Sequence, residues 1–98
     1  MNVKNLLAKM LTLLDGYLVV EERTLNFSFR NQRYGGFQLD VSKTGYTPLG
    51  VVGYTFSAVD WFCSNIDLQA TPASLFIFRN SNITASASLT LRVLYRKD

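Results

Sequence analysis

The amino-acid sequence predicts a mainly β protein: a single β-sandwich or jelly-roll-like domain of six to seven antiparallel strands, preceded by a short amphipathic N-terminal helix. Three observations support this prediction. Apolar and polar residues alternate almost without a break along residues 84–96, which is the period of a half-buried strand. Shorter apolar segments recur before it, with turn-forming residues between them. Apolar residues at helical spacing are confined to residues 1–14.

The predicted helix spans residues 1–15 and ends at Asp15-Gly16. An isolated helix of this length is marginal in water, and its apolar stripe covers too few heptads for a stable coiled coil. The helix therefore needs a surface, which is either its own β domain or the same helix in other copies. In the second case the oligomerisation residues are those of the stripe, namely Val3, Leu6, Leu7, Met10, Leu13 and Leu14.

Residues 17–98 are predicted to form the β-sandwich domain. The polar, glycine-containing segment 31–36 is a predicted hairpin turn between two alternating strands. Segment 49–56 is almost wholly apolar and contains two glycines, so we expect a strand that is buried on both faces or closely approached by another backbone. Segment 75–78 is a further, fully apolar predicted strand. The polar segment 79–82 is a predicted turn into the terminal strand. No linker divides the chain into two domains.

The composition argues against an enzyme. The chain has no histidine, which is the commonest general acid or base and the commonest metal ligand. Cys63 is the only cysteine, so neither a disulfide within the chain nor a cysteine metal cluster can form. Asp60 and Asp67 are the one carboxylate pair that resembles a glycosidase arrangement, and their spacing does not require that role. We predict a non-enzymatic protein with no cofactor and no metal.

The charge distribution and the lengths of the apolar runs argue against two classes of partner. The net charge is +3, and the basic residues are scattered except for the cluster Arg92, Arg96 and Lys97. A nucleic-acid binder would normally show a basic stripe interleaved with exposed aromatic residues, so no nucleic-acid partner is predicted. No apolar run approaches the roughly 20 residues of a membrane span.

Three aromatic residues are candidate ligand-binding residues: Tyr34 at the predicted hairpin tip, Tyr46 in a loop and Trp61 beside Asp60. Such side chains suit sugar recognition, because their rings stack on pyranose faces while nearby amides bond to hydroxyls. The same residues would serve equally well in a core or an interface, and for Trp61 the sequence leaves both roles open.

Two segments carry a resemblance to a known class of protein. They are FQLDVSKTGYTPLGVVGY at residues 37–54 and LTLRVLYRK at residues 89–97. Both resemble small β-rich virion proteins of phages and prophages of Gram-positive bacteria, of the tail-fibre, tail-tip or spike-like kind. The resemblance covers roughly the C-terminal two thirds of the chain, and residues 57–72 depart from it.

The resemblance implies a virion protein that self-associates, as a homotrimer, and contributes to a tail fibre or tail tip and to host-surface recognition. Its partners would be further copies, other virion proteins and a host surface glycan. A capsid-attached head fibre or decoration protein is one alternative. A monomeric carbohydrate-binding module, suggested by the aromatic residues above, is another.

Overall fold

The computed structural model describes residues 3–4 and 17–98. The predicted helix 1–15 therefore lies outside the described residues except at Val3 and Lys4, as do five of the six predicted oligomerisation residues, Leu6, Leu7, Met10, Leu13 and Leu14. Val3 is described, and 80% of its surface is exposed. Within the described part, no helix is long and apolar enough to cross a membrane.

The described chain forms four antiparallel strands in one sheet, which confirms the prediction of a mainly β protein. The longest strand, β4, pairs with β1 along one edge. Its other edge pairs with β3 near its start and with β2 towards its end. The strands are β1 (Leu18–Leu39), β2 (Tyr46–Phe56), β3 (Phe62–Asp67) and β4 (Ala73–Lys97).

The predicted number of six to seven strands is wrong, because two predicted turns lie inside strands. Segment 31–36 lies within β1, and segment 79–82 lies within β4. The register explains this difference: between the pairs Phe29↔Ala85 and Tyr34↔Phe78, β1 advances five residues while β4 advances seven. The extra residues are taken up as bulges, which bend a strand without reversing it.

The bend folds the sheet onto itself. The rings of Phe27 and Phe37, both on β1, have centroids 5.7 Å apart. A straight strand would separate them by about 33 Å. We call the part formed by β2 with residues 18–29 and 83–97 the first half-sheet. The second half-sheet is formed by β3 with residues 34–39 and 73–78.

The hydrophobic core lies between the two half-sheets. Trp61 is central to it, with its ring centroid 4.9 Å from those of both Phe27 and Phe29 in edge-on contacts. The guanidinium of Arg79 lies 4.7 Å from the centroid of the same indole. The buried apolar residues are Phe27, Phe29, Val41, Trp61, Ala73, Leu75, Ile77, Leu89, Leu91, Val93 and Tyr95.

A buried hydroxyl secures the connection between β1 and β2 to the first half-sheet. Tyr95 is fully buried, and its hydroxyl donates to the carbonyl oxygen of Val41 at 2.7 Å. The same hydroxyl accepts from Nε of Arg23 at 3.0 Å, and Arg23 also donates to the carbonyl oxygen of Ser42. These bonds hold residues 40–43 over one end of the core and so position one wall of a cleft described below.

Candidate functional site

The outer side of the second half-sheet carries a row of three aromatic residues. Tyr34 of β1 pairs with Phe78 of β4, which pairs with Phe62 of β3. Phe76 stands in the next row, between Gly36 and Ser64. These side chains point outward because Leu75 and Ile77, which alternate with them on β4, are buried. We call the set Tyr34, Phe62, Phe76 and Phe78 the aromatic face.

The aromatic face is unusually exposed for residues of this kind. Exposure reaches 66% for Tyr34, 45% for Phe76 and 40% for Phe62. Neither of the two rows contains a charged side chain. Exposed apolar patches of this kind mark interaction sites more often than single exposed apolar residues do.

The ring geometry leaves aromatic surface free for a partner. Phe62 and Phe78 stack on each other, with centroids 5.5 Å apart and ring planes 24° apart. The contact covers one face of each ring and leaves the opposite face and the edge outside the stack. Such surface can contact apolar protein side chains or the apolar face of a sugar.

A second candidate site is a cleft of about 350 Å³ between two connections of the fold. One wall is the connection from β1 to β2, and the other is the connection from β3 to β4. Pro48 and Leu68, both half-buried, contribute apolar surface. The polar lining residues include Asp40, Ser42, Lys43, Thr44, Gln69 and Thr71, and Tyr46 also lines the cleft.

Local hydrogen bonds define both walls of the cleft. The amide of Tyr46 donates to the carbonyl oxygen of Lys43 at 3.0 Å, and Gly45 at φ +81° completes a turn that a side chain would strain. The amide of Asp98 donates to the carbonyl oxygen of Gly45 at 2.9 Å. On the opposite wall, Oδ1 of Asp67 accepts from the amide of Gln69 at 2.9 Å.

Ion pairs beside the cleft neutralise its lysine. Nζ of Lys43 lies 2.5 Å from Oε1 of Glu21, and Arg23 lies 3.1 Å from the other oxygen of that carboxylate. The hydrogen bond from Lys43, followed by the attraction of both cations, lowers the pKa of Glu21 below its ordinary 4.5. Hydrogen bonds from Ser42 lower the pKa of Asp40 in the same direction.

These shifts predict a loss of stability in acid. A carboxylate with a lowered folded-state pKa stabilises the fold above its unfolded pKa, and this contribution disappears as the pH falls through the folded value. We therefore expect the melting temperature to decrease as the pH is lowered below about 4.5. The substitution Glu21→Gln should make this decrease smaller. Glu22→Gln is the matched control, since Glu22 forms no ion pair within the described part of the chain. Equal acid profiles for the two variants would contradict the prediction.

The three predicted ligand-binding residues do not come together. Tyr34 belongs to the aromatic face and lies within β1, so its predicted position at a hairpin tip is wrong. Tyr46 begins β2 and lines the cleft. Trp61 is only 6% exposed and is enclosed by Phe27, Phe29 and Arg79. Of the two roles that the sequence left open for Trp61, its position is that of a core residue.

Sequence reasoning missed the three phenylalanines of the aromatic face. Segment 75–78 reads Leu-Phe-Ile-Phe, and a wholly apolar run gives no sign of which side faces the core. Leu75 and Ile77 are buried, whereas Phe76 is exposed. The outward position of these side chains depends on how β4 pairs with β3 and packs against the core, and the sequence does not reveal either.

Of the carboxylate pair considered for catalysis, Asp60 lies in a turn and Asp67 ends β3. Oδ1 of Asp67 accepts from the backbone amides of Gln69 and Ala70, and Asp60 occupies a left-handed turn position at φ +66°. Among the residues that the structure describes, no group of three or more Cys, Asp or Glu side chains could hold a metal ion.

Comparison with known proteins finds no matching family model, no matching curated protein and no matching solved structure.

Proposed function

We propose that this chain is a non-enzymatic virion structural protein of a phage that self-associates, as a homotrimer, in a tail fibre or tail tip and contributes to host-surface recognition. The exposed aromatic face is the observation that carries the self-association. The resemblance of residues 37–54 and 89–97 to phage virion proteins supports the location in a virion. In this proposal the two half-sheets act as the layers of a small β-sandwich.

A further copy of the chain is the occupant that best suits the aromatic face. The two rows are uncharged, so the same surface on neighbouring copies meets without repulsion between like charges. The exposed rings offer apolar contact area, and aromatic residues are enriched in the cores of protein interfaces. The stacked Phe62 and Phe78 keep their mutual contact during association, which limits the entropy lost on binding.

A second apolar area adjoins the predicted N-terminal helix. Leu18 and Val20 begin β1, are more than half exposed and point to the outer side of the first half-sheet. Val52 on β2 is also more than half exposed. Because this area follows directly on the apolar stripe of residues 1–15, we propose that the helix anchors the domain or fixes the number of copies.

Light scattering tests the self-association. At micromolar concentration the chain should have about three times its monomer mass of 11.1 kDa. The double variant Phe62→Ser, Phe76→Ser should shift this mass towards the monomer while circular dichroism still reports a folded sheet, because both side chains lie outside the core. Val59→Ser is the matched control, since Val59 is 81% exposed and lies in a turn outside the two rows.

A monomer of the unaltered chain would contradict the proposed self-association. An unchanged mass in the folded double variant would exclude the aromatic face as the interface. Deletion of residues 1–15 tests the role of the helix independently of the aromatic face. A smaller assembly supports a role of the helix in association. An unchanged assembly with a lower melting temperature assigns the helix to the protomer's own fold.

The location in the particle is a separate question. Labelling the protein in intact particles and imaging them would place it at the tail tip, as proposed, or on the capsid. A capsid position would favour the alternative of a head fibre or decoration protein. Absence of the protein from purified particles would overturn the virion assignment.

The cleft favours a second candidate function, that of a monomeric carbohydrate-binding module. Apolar surface from Pro48 and Leu68 lies beside the hydroxyl and amide side chains of Thr44, Gln69 and Thr71. A chain that is monomeric and binds saccharide would support this function over the structural one.

A further inference from the structure

We propose that the cleft between residues 40–46 and 68–73 binds a neutral saccharide unit. The inference deepens the recognition role proposed above by giving it a ligand class and a place in the fold. It concerns surface that one chain provides by itself, so it is independent of self-association.

The surface of the cleft combines the two features that a pyranose presents. Its apolar part comprises Val41, Pro48, Leu68 and Ala73, and its exposed polar part includes Asp40, Thr44, Gln69 and Thr71. A sugar ring has an apolar face of C–H groups and a rim of hydroxyls, so one ring satisfies both parts together. The volume of about 350 Å³ lies at the small end of the range for ligand pockets, which favours one or two rings over a long chain.

Several polar groups of the cleft have capacity left for a ligand. Within the described part of the chain, the side chains of Thr44, Gln69 and Thr71 form no hydrogen bond. Asp40 uses Oδ1 to accept from the amide of Ser42 at 2.9 Å, which leaves Oδ2 as an acceptor for hydroxyls. An amide, two hydroxyls and a carboxylate oxygen supply the donors and acceptors that sugar hydroxyls need.

The cleft is built before a ligand arrives. The hydroxyl of Tyr95 and the guanidinium of Arg23 fix the backbone at Val41 and Ser42. On the other wall, Asp67 fixes the backbone at Gln69 and Ala70. Walls held by such hydrogen bonds lose little freedom on binding, so a weak set of polar contacts can still give measurable affinity.

The charges around the cleft offer no unpaired cation to an anionic ligand. Among the described residues that line the cleft, Lys43 is the only cation, and Glu21 pairs with it. Arg23 pairs with the same carboxylate, and Asp40 at the rim adds a negative charge. A phosphate or an acidic sugar would therefore lose hydration without gaining an ion pair, whereas a neutral saccharide meets no such penalty.

The test uses the full chain and four sugars as probes: glucose, galactose and N-acetylglucosamine, which are neutral, and N-acetylneuraminic acid, which is acidic. Saturation-transfer NMR should detect at least one neutral sugar and no acidic one. Binding should persist as the salt concentration is raised, because no charge pair forms. Gln69→Ala should weaken the binding by about tenfold or more, which corresponds to the loss of one hydrogen bond.

Gln38→Ala is the matched control, because Gln38 is an exposed glutamine on the outer side of the second half-sheet and does not line the cleft. Asp40→Asn should weaken binding while preserving the turn, since an asparagine oxygen can still accept from the amide of Ser42. Silence with all three neutral sugars, or equal losses in Gln69→Ala and Gln38→Ala, would overturn the inference. Light scattering on the same samples separates the two proposals: a trimer that binds no sugar refutes only the cleft, and a monomer that binds sugar refutes only the self-association.

Discussion

Replacement of Trp61 by alanine is expected to lower the free energy of unfolding by about 3–5 kcal/mol, the usual cost of removing a large aromatic side chain from a core. Trp61 is 6% exposed and contacts Phe27 and Phe29 edge-on at 4.9 Å. Both phenylalanines belong to the first half-sheet, and Trp61 immediately precedes β3 of the second. The indole therefore joins the two half-sheets, and its loss leaves a cavity where they meet.

Urea denaturation measures this effect directly. In a domain of this size, 1 kcal/mol corresponds to about 4–8 °C in melting temperature, so the variant should melt at least 12 °C lower or fail to fold. Val59→Ala, which truncates a side chain that is 81% exposed only two residues away, should change the free energy by less than about 0.5 kcal/mol. Similar losses in both variants would show that the indole does not join the half-sheets.

Tyr95→Phe is expected to cost about 1–3 kcal/mol, although it removes a single oxygen atom. The hydroxyl donates to the carbonyl of Val41 at 2.7 Å and accepts from Arg23 at 3.0 Å, in a residue that is fully buried. Without it, the carbonyl and one guanidinium nitrogen lose their partner at the edge of the core. The variant should also loosen residues 40–43 and with them one wall of the cleft.

Two measurements separate these consequences. Urea denaturation gives the change in stability, and hydrogen exchange of the amides in residues 40–46 reports the loosening of the connection. Tyr17→Phe is the matched control, since Tyr17 is exposed. A Tyr95→Phe variant as stable as the control, with unchanged exchange, would show that packing and not the hydroxyl holds the connection in place.

The sequence predicted a strand and its buried side where apolar and polar residues alternate. Alternation along residues 84–96 places Leu89, Leu91, Val93 and Tyr95 on one side, and all four are buried. Arg92 and Arg96 on the other side are exposed. The pattern was informative here because one face of the strand meets the core and the other meets solvent. The alternation of apolar and polar residues therefore indicates which side faces the core.

Turn residues were less informative. Asn31 adopts φ +49°, a conformation that fits a reversal and a bulge equally well, so segment 31–36 indicated a break in regular pairing without revealing its kind. Which of the two forms depends on the partner strand. Here β4 continues alongside β1 through the irregularity, and the chain bends without turning back.

The residues of the candidate sites were also only partly predictable from the sequence. Tyr34 and Tyr46 were identified as ligand-binding candidates from residue type and predicted loop position, but they lie on different surfaces. Phe62, Phe76 and Gln69 acquire their proposed roles only through strand pairing and the approach of two connections. Neither is a local property of the chain.

The sequence by itself determined that this is a mainly β protein and which side of its terminal strand faces the core, because both follow from local periodicity. It also supplied the apolar stripe of residues 1–15, whose partner is tested by the deletion proposed above. Only the tertiary structure decided that residues 17–98 form four strands, that Trp61 lies inside the core, and that four aromatic side chains share one outer face. The physical reason is that bends, burial and shared surfaces depend on contacts between residues far apart in the chain, such as Phe27 with Phe37 and Tyr95 with Val41.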